Sequence, residues 1–211
     1  MLHVNASHGI NVSLIFGRIR KIIKITKDTD VIQSKQDLNY YLEEDFKRFG
    51  KKPSLKDHIL HNEVWYIYHY IRHLRYVEYY KDKNKILFLW HFFCYKRLGF
   101  KLRFTIYPGT VGLGFRIYHT GDFVHVGPNV RIGKNCTMLP GVVFGNKAEE
   151  MLYESVIVGD NCYIGFGVKI FGGVTIGNNV TIGAMSVVTH DIPDNVVVAG
   201  IPARIIKSKT I

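Results

Sequence analysis

An aliphatic residue returns every sixth position through the last third of the chain, at Val158, Ile164, Ile170, Ile176, Ile182 and Val188. The position two residues earlier is also restricted, to Val156, Cys162, Val168, Val174, Val180 and Ser186. An upstream block repeats the pattern at Val126, Ile132, Met138 and Phe144, with Val124, Val130, Cys136 and Val142 two residues before. Period six fits neither a 3.6-residue helix nor a free two-residue strand alternation. It is the signature of a hexapeptide β-helix, in which every sixth side chain enters one continuous core. His125, set between two inward positions, faces outward on this reading.

Two irregularities interrupt the repeat, and insertions in a solenoid map to loops on one face, often the binding face. Val111, Ile117 and Phe123 keep period six but sit three residues out of register with the Val126 series, and His119 lies at that slip. Between Phe144 and Val158 the spacing is 14 residues, so the charge-rich stretch Asn146 to Ser155 bulges outward as a loop. The chain leaves the repeat through Asp191-Ile192-Pro193-Asp194, a turn, and continues from Val196 to Ile206.

Ahead of the repeat the pattern is helical. Ser34-Lys35-Gln36-Asp37 reads as a capping box, and Leu38, Tyr41, Leu42 and Phe46 follow on one face until Gly50 and Pro53. Pro53-Ser54 starts a second helix. Glu63 to Lys81 is a third, dense in aromatics, and Lys83 to Leu98 a fourth, stopped by Gly99. The aromatic faces pack together or against another subunit. The expected architecture is therefore α+β: a basic segment over 1–33, an α-helical domain over 34–103, and a parallel β-helix with a C-terminal tail over 104–211.

Charge changes this picture in one respect. The net charge is +11, and nearly all of it falls before residue 104. A basic half suits a membrane surface, a nucleic acid or an anionic substrate, and Arg18, Arg20, Lys21 and Lys24 cluster near its start. No nucleic-acid motif accompanies it. No Walker-type loop, dinucleotide fingerprint or paired-cysteine zinc motif occurs. His119, His125 and His190 lack the arrangement a three-histidine zinc site needs, so no metal is expected. The three cysteines, two of them in inward slots of the repeat, read as reduced core thiols. Without a cleavable apolar leader or a span of about 20 apolar residues, the expected location is the cytoplasm.

Four segments together resemble one family. Ile182-Gly-Ala-Met-Ser-Val-Val-Thr-His-Asp-Ile-Pro and Ala199-Gly-Ile-Pro-Ala-Arg-Ile-Ile-Lys207 are similar to the ending of the left-handed β-helix acyltransferases, in the branch of serine acetyltransferases and bacterial polysaccharide O-acetyltransferases. Gly112-Leu-Gly-Phe-Arg-Ile-Tyr-His-Thr-Gly121 resembles the stretch carrying that branch's catalytic histidine, and Tyr76-Val-Glu-Tyr-Tyr80 resembles its helical domain. The resemblance implies a left-handed triangular prism and a homotrimer with acetyl-CoA in clefts between subunits. It also implies that helical domains pair trimers into hexamers, as in serine acetyltransferases.

It further implies His119 as the base that takes the acceptor's hydroxyl proton, a task suited to an imidazole titrating near pH 6.5. For acetyl-CoA it points to Gly145 and Asn146, to Gly165 and Phe166, to Gly183 and Ala184, and to Gly200, Ile201, Pro202, Ala203, Arg204 and Lys207. Small residues let a pantetheine approach the backbone, and the two cations meet phosphates. Acetyl-CoA would be a co-substrate, with no tightly bound cofactor. Gly159 and Gly177 read instead as corner residues.

Serine acetyltransferases carry an aspartate just upstream of the histidine, where this chain reads Thr105-Ile106-Tyr107-Pro108, and a histidine in the protruding loop, which is absent here. Asp122 is a weak substitute for the missing orienting acid. These two departures favour a sugar hydroxyl of a cell-surface polysaccharide precursor as acceptor, held at an anionic membrane face. Serine O-acetyltransferase and a non-catalytic β-helix scaffold are the alternatives.

Overall fold

The computed structural model describes residues 32–50, 52–146 and 154–210. The basic segment read over 1–33 therefore lies almost wholly outside the described residues, as does most of the loop expected between Asn146 and Ser155.

Among the described residues four helices come first: α1 (Lys35–Lys47), α2 (Leu55–Ile59), α3 (Glu63–Tyr80) and α4 (Lys85–Leu102). Their starts follow from capping chemistry. Ser34 and Asp37 exchange side-chain and backbone hydrogen bonds at the head of α1, Ser54 and Asp57 do so at α2, and Asn62 accepts from the Val64 N–H at α3. Gly99 does not stop α4, which runs on to Leu102 and ends at Arg103 with φ +60°. A Cβ on residue 99 would lie 2.7 Å from the Phe104 carbonyl oxygen and 3.1 Å from the Tyr70 ring. The glycine is there so that α4 can lie against β1 and α3.

Fourteen short strands of the described residues follow and form three sheets. One runs β1 (Phe104–Ile106), β3 (Val124–Val126), β6 (Val143–Gly145), β9 (Lys169–Phe171) and β12 (Val187–Val188). A second holds β4 (Val130–Ile132), β7 (Val156–Val158) and β10 (Val174–Ile176). The third runs β2 (Arg116–Ile117), β5 (Thr137–Met138), β8 (Tyr163–Ile164), β11 (Thr181–Ile182), β13 (Val196–Ala199) and β14 (Arg204–Ser208). All pairings are parallel except β13 with β14. Partners such as Ile164 and Ile182 are 18 residues apart, three hexapeptides per coil.

The inward series is buried as the period requires, with Val124, Val126, Cys136, Met138, Val142, Ile164, Val168, Ile170, Val180, Ile182, Ser186 and Val188 all below 2 % exposure. Phe123 departs from it. It is 45 % exposed, and Val126 takes the next inward place after Ile117. The step from Ile117 to Val126 is nine residues instead of six, so residues 118–123 loop out and carry His119 with them.

The helices dock onto the start of the prism through a buried ionic knot. Arg75, with no exposed surface, donates to Asp45 (Nε to Oδ2, 2.8 Å), to Glu78 (3.2 Å), and to the carbonyls of Val111 (2.8 Å) and Gly112 (2.6 Å). Asp45 accepts the Phe115 N–H at 3.2 Å, and Glu78 accepts the Gly109 N–H at 2.7 Å. Burial pushes the Glu78 carboxyl up, against the pull of Arg75. These contacts with the prism all land on the backbone leading into β2, and so fix the approach to the His119 loop.

Candidate active site

His119 follows β2 with φ +64°. A residue with a Cβ is uncommon in this left-handed region, which costs about 1–3 kcal/mol and persists only where surroundings hold it. The holder is Glu63, the first residue of α3. Its Oε1 lies 2.7 Å from His119 Nδ1, while its Oε2 accepts from the Thr120 N–H at 3.0 Å and from Thr120 Oγ1 at 3.2 Å. A carboxylate has only acceptors to offer, so in a neutral imidazole the ring proton belongs on Nδ1, which leaves Nε2 as the acceptor. The imidazole side chain is 69 % exposed, that of Glu63 35 %. The ring is thus largely open to solvent while its Nδ1 is fixed.

Sequence reasoning missed Glu63. It stands 56 residues before its partner, at a first-turn position where an acid ordinarily serves the helix dipole. Asp122, the local substitute considered from sequence, turns back on its own loop and accepts from the Phe123 N–H at 2.7 Å.

The residues singled out for acetyl-CoA fall on two corners of the prism and on β14 with the segment that leads into it. Tyr118 N–H bonds the Met138 carbonyl, Leu139 N–H that of Ile164, Gly165 N–H that of Ile182, and Gly183 N–H that of Val198. Tyr118-His119, Leu139-Pro140, Gly165-Phe166, Gly183-Ala184 and Ala199-Gly200 therefore stack on one corner in successive coils. A Cβ on residue 165 would lie 2.7 Å from the Ala184 N, so only glycine permits this spacing. Phe166 is 43 % exposed beside it. Gly145 and Asn146 lie at the next corner, across the face formed by β3, β6, β9 and β12, where Gly145 O accepts the Gly172 N–H. At the far end Ile201 and Pro202 are exposed, Ala203 is buried, and Arg204 and Lys207 project from β14. Arg204 donates to His190 Nε2 at 3.0 Å.

Gly159 and Gly177 lie at the third corner, where side chains bridge coils. Asp160 accepts from the Lys134 N–H, Asn178 from the Asp160 N–H and Asp194 from the Asn178 N–H. His125 is half-buried and stacked on Phe123, and burial pulls its pKa down. Among the described residues no group of three or more His, Cys, Asp or Glu is placed to hold a metal ion.

Known proteins share the repeat and the fold. The model of the bacterial transferase hexapeptide (six repeats) matches residues 155–190, and that of the hexapeptide repeat of succinyl-transferase matches residues 124–149. Among solved structures, a serine acetyltransferase in complex with coenzyme A from Brucella abortus strain S19 superposes with a TM-score of 0.66 at 26% identity, over 83% of this chain and 70% of that one. The serine acetyltransferase of Neisseria gonorrhoeae gives 0.65 at 27%, over 84% and 69%. The fold is the left-handed β-helix of the acyltransferases.

In sequence, the serine acetyltransferase of Bacillus subtilis (strain 168) is 40% identical over 102 residues, 48% of this chain and 46% of that protein. That of Staphylococcus xylosus is 41% identical over 103 residues, covering 48% and 47%. The chain spans a little under half the length of these curated relatives.

These relatives overturn the sugar acceptor expected from sequence, because they are serine acetyltransferases. One of the two physical grounds for that expectation also falls. It rested on a missing local aspartate and a missing loop histidine, and for the first of these the structure supplies a carboxylate from Glu63 instead.

Proposed function

We propose that the chain is a serine O-acetyltransferase, moving an acetyl group from acetyl-CoA to the hydroxyl of L-serine. The observation that carries this reading is the His119–Glu63 pair at the head of a corner of small residues; the serine acetyltransferase relatives supply the acceptor.

His119 Nε2 takes the proton of the serine hydroxyl as its oxygen attacks the thioester carbonyl. Glu63 holds the ring through Nδ1–H and stabilises the imidazolium formed. The tetrahedral intermediate collapses with loss of the thiolate, and His119 returns its proton to the sulfur. No acyl-enzyme forms.

The donor lies along the corner below His119, with Gly165, Phe166, Gly183, Ala184 and Gly200 beside the pantetheine. Arg204 and Lys207 meet the nucleotide phosphates, Ile201, Pro202 and Ala203 shape the end of the groove, and Gly145 and Asn146 close it from the neighbouring subunit. The active species is a homotrimer on this account, because each subunit supplies half of a donor cleft.

Release of CoA thiol from acetyl-CoA, measured over L-serine and a panel of sugars, tests the reaction. Serine-dependent release is the expected result, and release that ignores serine overturns it. Light scattering tests the assembly: a monomer or dimer contradicts the shared cleft.

A further inference from the structure

Helix α4 is apolar on two opposite sides. Phe88, Tyr95, Gly99 and Leu102 are buried, and Phe92 and Leu98 pack against the same core. Ile86, Leu89, Trp90, Phe93 and Phe100 lie on the opposite side at spacings of three, four and seven residues, one stripe of a 3.6-residue helix. They are exposed, Ile86 at 81 %, Trp90 at 61 %, Phe93 at 60 % and Phe100 at 90 %. Single exposed apolar residues need no explanation, but a row of large ones along a helix marks an interaction surface.

The charges around the stripe say what it meets. From Lys83 to Arg103 the chain holds Lys83, Lys85, Lys96, Arg97, Lys101 and Arg103 and no Asp or Glu. Lys96 and Lys101 fall on opposite flanks of the stripe. A second copy of α4 docked across a two-fold axis would bring these cations together without an acid on either helix to pair them. An anionic surface meets Lys96 and Arg97, while Lys101 Nζ lies 3.8 Å from the Tyr66 ring and Lys83 Nζ 4.8 Å from that of Tyr79. At the C-terminal end of the stripe a cavity of about 680 Å³ opens between α4 and β1, lined by Lys96, Phe100, Arg103, Thr105 and Phe123 among others. Two cations, a hydroxyl and two aromatic rings suit a phosphate group attached to an apolar body. No helix among the described residues is long and apolar enough to cross a membrane, so the contact is one that lies on the surface.

We propose that α4 docks the protein on an anionic phospholipid surface, with Ile86, Trp90, Phe93 and Phe100 entering the interface, the flanking cations meeting lipid phosphates, and one headgroup seated in the Lys96–Arg103 cavity. None of His119, Glu63 or the small-residue corner belongs to the surface, although Phe123 of the cavity lies in the loop that carries His119.

The test uses the full chain with phosphatidylcholine vesicles, with and without phosphatidylglycerol, in a flotation assay. Binding to the anionic vesicles alone is expected, weakening as salt rises because the Debye length shrinks to about 8 Å at physiological ionic strength. In a Trp65→Phe background, Trp90 emission shifts to the blue on binding and is quenched by brominated lipid. Lys96→Gln and Arg97→Gln each lower partitioning about fivefold, the equivalent of about 1 kcal/mol per cation near such a surface. The pair Trp90→Ser and Phe93→Ser, both exposed and outside the core, lowers it further while leaving acetyl transfer unchanged. Three outcomes overturn the proposal: no binding at low salt, binding that the Trp90/Phe93 variant leaves intact, or loss of the native oligomer in that variant without any lipid binding in the parent.

Discussion

Replacing Glu63 by glutamine removes the charge opposite His119 Nδ1 while keeping the shape of the side chain. The amide introduced by Glu63→Gln can turn either its oxygen or its NH2 toward the ring, so the tautomer is no longer dictated. A hydrogen bond to a charged group contributes about 1.5–3 kcal/mol when buried, and an exposed ion pair about 0.2–1 kcal/mol. This pair lies between, with side chains 35 % and 69 % exposed. A loss of about 1–2 kcal/mol of transition-state stabilisation corresponds to about 5- to 30-fold in rate. The assay is thiol release at saturating acetyl-CoA and L-serine. The expected signature is a lower kcat with the KM for acetyl-CoA unchanged, since the side-chain hydrogen bonds of Glu63 go to His119 and Thr120, and with the melting temperature unchanged, since the site is at the surface. Glu63→Asp, one methylene short, does not restore the rate. An unchanged kcat in Glu63→Gln, alongside a large loss in His119→Ala, refutes the positioning role and leaves the base unaided.

The other predictions concern the base and the scaffold. His119→Ala lowers kcat by about 10²–10⁴-fold with acetyl-CoA binding, read by titration calorimetry, nearly intact. Arg75→Ala strands the Asp45 and Glu78 carboxylates in the core and costs about 3–5 kcal/mol in urea denaturation. Gly99→Ala forces a methyl group onto the Phe104 carbonyl and costs about 1–3 kcal/mol by the same measurement. His73 lies 2.9 Å from His91, Nδ1 to Nδ1, and burial first, then His91, pulls its pKa from 6.5 to about 4. The unfolded chain binds that proton more readily, so stability is full above about pH 6.5 and falls as pH drops toward 4; in His73→Gln the melting temperature declines less over that window.

The prism was legible because each inward slot is chemically restricted while the slots between are free. Val124 to Val188 could be assigned to the core from spacing alone. His119 was legible for the opposite reason, since it sits where the spacing breaks. Phe123 was misread because period six continued on paper through a stretch that the chain loops out. Gly99 was misread as a helix stop, although its local sequence carries no trace of the carbonyl it accommodates. Glu63 was invisible for a deeper reason. A pattern within one element reports the face that element buries, whereas the contact with His119 exists only after α3 docks beside β2. Seeking the carboxylate close to the histidine in sequence, together with the absence of a loop histidine, led to the sugar acceptor.

The corner that begins at His119 and ends at Gly200 has a fixed length. Four coil steps at about 4.8 Å separate the two, so about 19 Å in all. Inserting or deleting one 18-residue coil would leave every inward residue in register, and the prism would fold. The corner would nonetheless change by one step, and the cations of β14 would move that far from the base. On the proposed donor pose, coil number is then a ruler cut to one donor: hexapeptide repeats tolerate lengthening as a fold, but the reach from sulfur to phosphate would limit how many coils can separate His119 from Arg204.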